Sequence, residues 1–205
     1  MRHLIVSTAV TLDGYCAGPG GNPLALNLDA AFDAHNLDLM REAGTILLGR
    51  ASFELFASFW PLVADAPDDP ANPALSPVNR EFSRRYRDIP KLVVGDGFAV
   101  PEDHAWHSTT RVVGGDELQQ TVRQEKEADG GPIVVFASHV LWNGLLADGL
   151  VDRLDLIVGP DAIGDGVPAF TRPARLTPLE ARTLPGSRNL LARYAPFGDG
   201  TERIG

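Results

Sequence analysis

Cysteine is almost missing from this chain: Cys16 stands alone among 205 residues. No internal disulfide can form, and nothing points to an oxidising compartment. Positive charge is scarce as well. Lys and Arg total 18 against 27 Asp and Glu, a net charge of −9, and such a surface repels nucleic acid and anionic membranes alike. Long apolar runs are also lacking. The run Leu4–Val10 follows Arg2 as in a signal peptide, but it contains Ser7 and Thr8 and leads to Asp13 rather than to a small-residue cleavage site. No run approaches the ~18 residues of a membrane helix. His3, His35, His104, His107 and His139 have no metal-ligand spacing, and there is no G-x-S-x-G elbow or phosphate-loop lysine. Gly114-Gly115 lacks the third glycine and acidic partner of a dinucleotide fingerprint. Hydrolytic, metal and kinase-type chemistry fall away. The expectation is a cytoplasmic protein that handles a small molecule, binding neither nucleic acid nor membrane.

What is present is a full-sized core. Apolar residues make up 44% of the chain and charged ones 22%, the balance of one globular domain, placed at 1–198 with a short tail at 199–205. Strands are expected at Leu4–Val10, Thr45–Leu48, Pro90–Val94 and Pro132–Phe136, with a short one at Trp106–Ser108. Between them lie helical patterns at Leu28–Ala43, Ala51–Phe59, Pro77–Arg87, Gly115–Ala128 and Ser138–Ala147, with Asp116 and Ser138 placed to cap the last two. Residues 61–77, rich in Pro and Asp, read as an irregular loop. Val151–Val158 alternates, and stretches near 175–184 and 188–195 meet at Pro185-Gly186-Ser187, a hairpin turn. This punctuation predicts an α/β fold: a mostly parallel sheet, helices on both faces, and an antiparallel C-terminal hairpin.

The most informative segment is Ile46-Leu47-Leu48-Gly49-Arg50-Ala51-Ser52-Phe53. A buried-type strand ends on Gly-Arg and a helix begins at once. Glycine admits a close backbone approach, the helix start presents unpaired N–H groups, and Arg50 adds a planar fork suited to phosphate. The alternative is an ordinary strand-to-helix turn whose Arg meets a surface carboxylate.

Further segments carry a resemblance. Ser7, Thr11, Leu12, Asp13 and Gly14 follow the S-L-D-G pattern of the dihydrofolate reductase-like superfamily. They are followed in order by Leu47–Glu54, Phe59-Trp60-Pro61, Val134–Ser138, and Gly149–Leu154 with Pro160, Gly164-Asp165-Gly166 and Phe170. Together they resemble the reductase (C-terminal) domain of the bifunctional riboflavin-biosynthesis deaminase/reductase, as a stand-alone member with no deaminase domain before it. The resemblance implies an NADPH-dependent oxidoreductase, with NADH the alternative cofactor. It would pass a hydride to a small pyrimidine- or pterin-like substrate, in the manner of 5-amino-6-(5-phosphoribosylamino)uracil reductase or dihydrofolate reductase, and it would be a homodimer. A non-catalytic dinucleotide- or flavin-binding protein on the same fold is the second reading.

Carried over by position, Gly49, Arg50 and Ser52 match the family's G-R-x-[TS] cofactor contacts, and Ala137, Ser138 and His139 its second phosphate loop. Ala137 stands where a glycine is usual, and Gly95-Asp96 where a serine is common. Asp96 either opposes a 2′-phosphate or only shapes its own loop. For chemistry, Asp13 is the candidate proton source if burial raises its pKa, or else it holds its Asp-Gly turn. Thr11, Glu54, Trp60 and Phe170 are candidate substrate contacts; for Glu54 the alternative is a solvent-facing carboxylate, for the two aromatics a place in the core. Arg80, Arg84, Arg85 and Arg87 form the densest basic stretch, which suits a substrate phosphate or a solvated helix face equally.

Overall fold

A computed structural model describes residues 1–197; the expected tail at 199–205 lies outside the described residues. The chain begins with β1 (Leu4–Val10), short β2 (Tyr15–Ala17), α1 (Ala30–Glu42), β3 (Thr45–Gly49), α2 (Arg50–Phe59) and α3 (Pro77–Asp88). It continues through β4 (Lys91–Val94), β5 (Thr110–Val113), α4 (Leu118–Glu127), β6 (Ile133–Phe136) and α5 (His139–Ala147). β7 (Arg153–Val158), short β8 (Val167–Pro168), β9 (Leu176–Thr183) and β10 (Leu190–Pro196) complete it. An eight-stranded sheet runs in the order β5-β4-β3-β6-β1-β7-β10-β9. Its pairings from β5 through β7 are parallel, and β10 and β9 close one edge antiparallel. The expected α/β architecture is therefore observed.

Buried side chains divide over the two faces of the sheet. Leu4, Val6, Leu47, Val135 and Leu154 pack with Val122 of α4 and with Trp142 and Leu145 of α5. Ile5, Ile46, Leu48, Val93 and Val134 meet Leu37 and Met40 of α1, Phe53 of α2, and Phe82 and Tyr86 of α3. Strands buried on both faces read as continuous apolar runs rather than alternations, which is why LIVSTAV and IVVF stood out in the sequence.

The structure departs from expectation at particular points. Trp106–Ser108 is no strand: His107–Thr109 forms a turn of 3₁₀ helix, and the edge strand follows at Thr110–Val113. Trp106 is fully buried against Phe53 and Tyr86, and core packing overrides its strand propensity. α4 starts three residues later than expected, with Glu117 rather than Asp116 at its N-cap and no side-chain cap. β2 pairs with β8 in a two-stranded ribbon, too short for the sequence pattern to reveal. The basic stretch of α3 splits: Arg84, Arg85 and Arg87 are on its exposed face, whereas Arg80 is structural. Arg80 donates to the carbonyls of Leu75, Val63, Ala64, Ala66 and Pro67, so one guanidinium gathers the proline-rich loop. Arg85 pairs with Glu81, and Arg87 with Asp88.

Candidate functional site

Strand order decides where a ligand can lie. From β3 the chain leaves through α2, on the face of Phe53 and Phe82, toward β4. From neighbouring β6 it leaves through α5, on the opposite face, toward β7. Adjacent parallel strands whose connections part to opposite faces open a crevice beyond their carboxyl ends, the place where open α/β sheets bind ligands. Gly49-Arg50 and Ala137-Ser138 stand on its two sides.

The starts of α2 and α5 border this crevice. Asp29 caps α1 by accepting from the Ala31 and Phe32 amides, and Ser76 caps α3 by accepting from Asn79. Neither α2 nor α5 has a side-chain cap (α4, away from the crevice, lacks one too). Ser138, expected to cap α5, instead accepts from the Gly49 amide at 3.2 Å, joining the two sides. Its backbone is left-handed, φ 53°, and so is that of Ala137, φ 51°. Each costs roughly 1–2 kcal/mol in a residue with a Cβ, and non-glycine strain of this kind clusters at ligand sites. A Cβ built on Gly49 meets nothing nearer than Leu141 Cβ at 3.9 Å, so the backbone there is open to approach.

Arg50, half exposed, donates through Nε to Glu54 at 2.9 Å and lies over the Phe98 ring at 5.2 Å from its centroid. Its two Nη groups have no protein partner among the described residues. Glu54 thus orients Arg50 rather than standing alone in a cleft. Gly95 eases this packing, because a Cβ there would approach Phe98 Cβ to 3.1 Å and Arg50 Cβ to 3.2 Å, and both would have to give by a few tenths of an ångström. The Oδ1 of Asp96 accepts from the Gly115 amide at 2.8 Å and pins the loop after β5. Ser52 is half buried in the first turn of α2. His139 begins α5 with Nε2 buried and unpartnered, its ring edge-on to Trp142.

Asp13 corrects an expectation. Burial was to raise its pKa, yet the carboxylate is exposed and held below the ordinary range by the Thr11 hydroxyl at 2.6 Å, then by the Gly164 amide at 2.8 Å. It ties the loop after β1 to the loop after β7. Thr11 is buried and spent on Asp13 and the Tyr15 amide. Trp60 packs on Phe82 at 4.6 Å and Phe170 on Trp142 at 5.5 Å, so both serve the core.

The raised carboxyl at this edge is Asp33, which sequence reasoning missed. It lies in the first turn of α1, one turn before Asn36, whose Oδ1 accepts from Ser7 of β1. Helical spacing therefore places Asp33 on the buried side of α1, where it faces Asn79 of α3. Burial raises its pKa, opposed by the Asn79 amide that it accepts at 3.1 Å. A polar residue on the apolar stripe of α1 was the available signal.

A family model for the RibD C-terminal domain matches residues 2–187. The chain belongs to the RibD C-terminal domain family. It is 27% identical over 169 residues to the uncharacterized protein YyaP of Bacillus subtilis (strain 168), covering 82% of this chain and 80% of that one. The RibD structure of Acinetobacter baumannii superposes with TM-score 0.66 at 14% identity, over 96% of this chain and 58% of that one. A dihydrofolate reductase from Enterococcus faecalis, solved with NADP(H), gives TM-score 0.54 at 12% identity over 95% and 96% of the two chains. The family's fold is thus dihydrofolate reductase-like. No helix among the described residues is long and apolar enough to cross a membrane, and no group of His, Cys, Asp and Glu among them could hold a metal ion.

Proposed function

We propose that this protein is a cytoplasmic, NADPH-dependent reductase of a small planar heterocycle. The observation that carries this reading is the crevice between β3 and β6, where two uncapped helix N-termini are bridged by Gly49 and Ser138. A dinucleotide brings a pyrophosphate that such amides receive, and the open backbone at Gly49 and the unpaired Nη groups of Arg50 fit its phosphates. Bound there, the cofactor supplies the hydride.

The remaining roles belong to the chain. Arg50, braced by Glu54 and Phe98, receives the adenosine-side phosphate together with Ser52. Asp96 is held by the Gly115 amide on the loop after β5, and Arg50 with Ser52 favours NADPH over NADH. The strained Ala137-Ser138 turn and His139 face the pyrophosphate. Asp13 positions the mouth by joining Thr11 to Gly164. The proton falls to Asp33, whose half-buried carboxyl stays protonated to higher pH than an ordinary one, as a general acid requires.

Mixing the protein with NADPH tests the reading. The expected result is enhanced nicotinamide fluorescence and a higher melting temperature, since a ligand at ~100 times its Kd stabilises by roughly 2.7 kcal/mol. No change with either NADPH or NADH removes the dinucleotide. Binding without consumption of NADPH across pterins, pyrimidines and flavins favours the non-catalytic binder, for which the saturated carboxylate of Asp13 speaks.

A further inference from the structure

The charge of the crevice is divided. Arg50 stands on its β3–β4 side. The other side is built from the segments that follow β1, β6 and β7, residues 11–36, 137–143 and 159–171, and these contain neither Lys nor Arg. They carry Asp13, Asp29, Asp33, Asp161 and Asp165. They are also tied to one another at this edge. Asp13 accepts from Gly164, Leu12 donates to the Asp161 carbonyl, β2 pairs with β8, and Asn143 of α5 holds the Ala169 carbonyl and the Thr171 amide.

The nearby cations lie outside these segments. Arg80 is spent on loop carbonyls. Arg172 and Arg188 are exposed, one just past Thr171 and the other in the β9–β10 turn. A phosphate needs positive charge or convergent amides, whereas a wall whose charged side chains are all carboxylates repels an anion and favours N–H donors.

Resting on the reductase reading, we infer that the substrate is an uncharged or cationic heterocycle rich in N–H donors and free of phosphate or carboxylate groups. The inward carboxyl of Asp33 suits an amino-substituted ring. Thr11 and Asp13, already bonded to each other, shape the wall without reaching for an anion.

The test uses wild-type protein saturated with NADP⁺, titrated calorimetrically with matched probes: uridine and uridine 5′-monophosphate, riboflavin and FMN, pterin and pterin-6-carboxylate. Inorganic phosphate is titrated separately. The acid-free member of any pair that binds should bind at least about tenfold tighter, and phosphate should find no saturable site below about 5 mM. An acid-bearing probe that binds as tightly as its partner overturns the inference. So does a phosphate site below about 5 mM that survives NADP⁺ saturation and disappears in Arg172→Ala or Arg188→Ala. Failure of NADP⁺ itself to bind is read in the first titration and counts against the reductase proposal instead.

Discussion

Lys91 offers the sharpest test of the packing that carries the site. It opens β4 and is only 2% exposed. Its ammonium donates to the carbonyls of Ile89 at 2.9 Å and Arg87 at 3.4 Å and to Thr109 Oγ1 at 2.8 Å. It also faces the rings of Trp106 and Tyr86, at 5.0 and 5.6 Å from their centroids. Burial pushes its pKa from 10.5 down to about 7, with the nearby Asp88 opposing.

Because the native amine releases its proton near 7 and the unfolded one near 10.5, the unfolded chain binds more protons between those values. Stability then rises with pH across that window. Below about pH 7 the full penalty of the buried charge is present. The gap corresponds to a ceiling of about 5 kcal/mol at ~1.4 kcal/mol per tenfold change in proton affinity. Three oxygen acceptors and two aromatic faces favour the charged amine, so about 2–3 kcal/mol is expected. Urea unfolding of wild type and Lys91→Met, from pH 6 to 9.5 at fixed ionic strength, reads this directly. The difference between the two proteins should change by that amount above pH 7. Parallel curves would refute the reasoning.

Three further predictions concern the crevice. Arg50→Ala should weaken dinucleotide binding by about 1.5–3 kcal/mol, the scale of a charge-assisted hydrogen bond; unchanged titrations would remove Arg50 from the site. Asp33→Asn should abolish the group whose native pKa is raised. It should cut turnover about 100-fold or more with cofactor affinity intact, and it should raise stability above the ordinary carboxylate range, where burying the ionised form costs free energy. Normal turnover with a full pH profile would leave Asp33 a structural residue. Ala137→Gly should relieve a left-handed backbone and, after the entropy that glycine loses on folding, leave stability equal or up to about 1 kcal/mol higher; a loss of stability measured by thermal unfolding would contradict the assigned strain.

Periodicity and punctuation by themselves determined most of the architecture. Runs such as Leu4–Val10 and Ile133–Phe136 are apolar on both faces and so demand a covered parallel sheet, and Gly49-Arg50 marks a strand passing straight into a helix. Local signals failed at Trp106, where a β-former is consumed by a core made of distant residues, and at Asp116, where the cap expected from residue type is not the one used. Tertiary structure alone decided the chemistry of the carboxylates. Asp13 and Asp33 look alike in sequence, yet the first is exposed and held by a hydroxyl and an amide from a loop 151 residues away, while the second is turned inward by the phase of α1. The sequence likewise could not say that β6 inserts between β1 and β3. That insertion, which no local interaction encodes, places Gly49 beside Ser138 and opens the crevice at that point of the sheet.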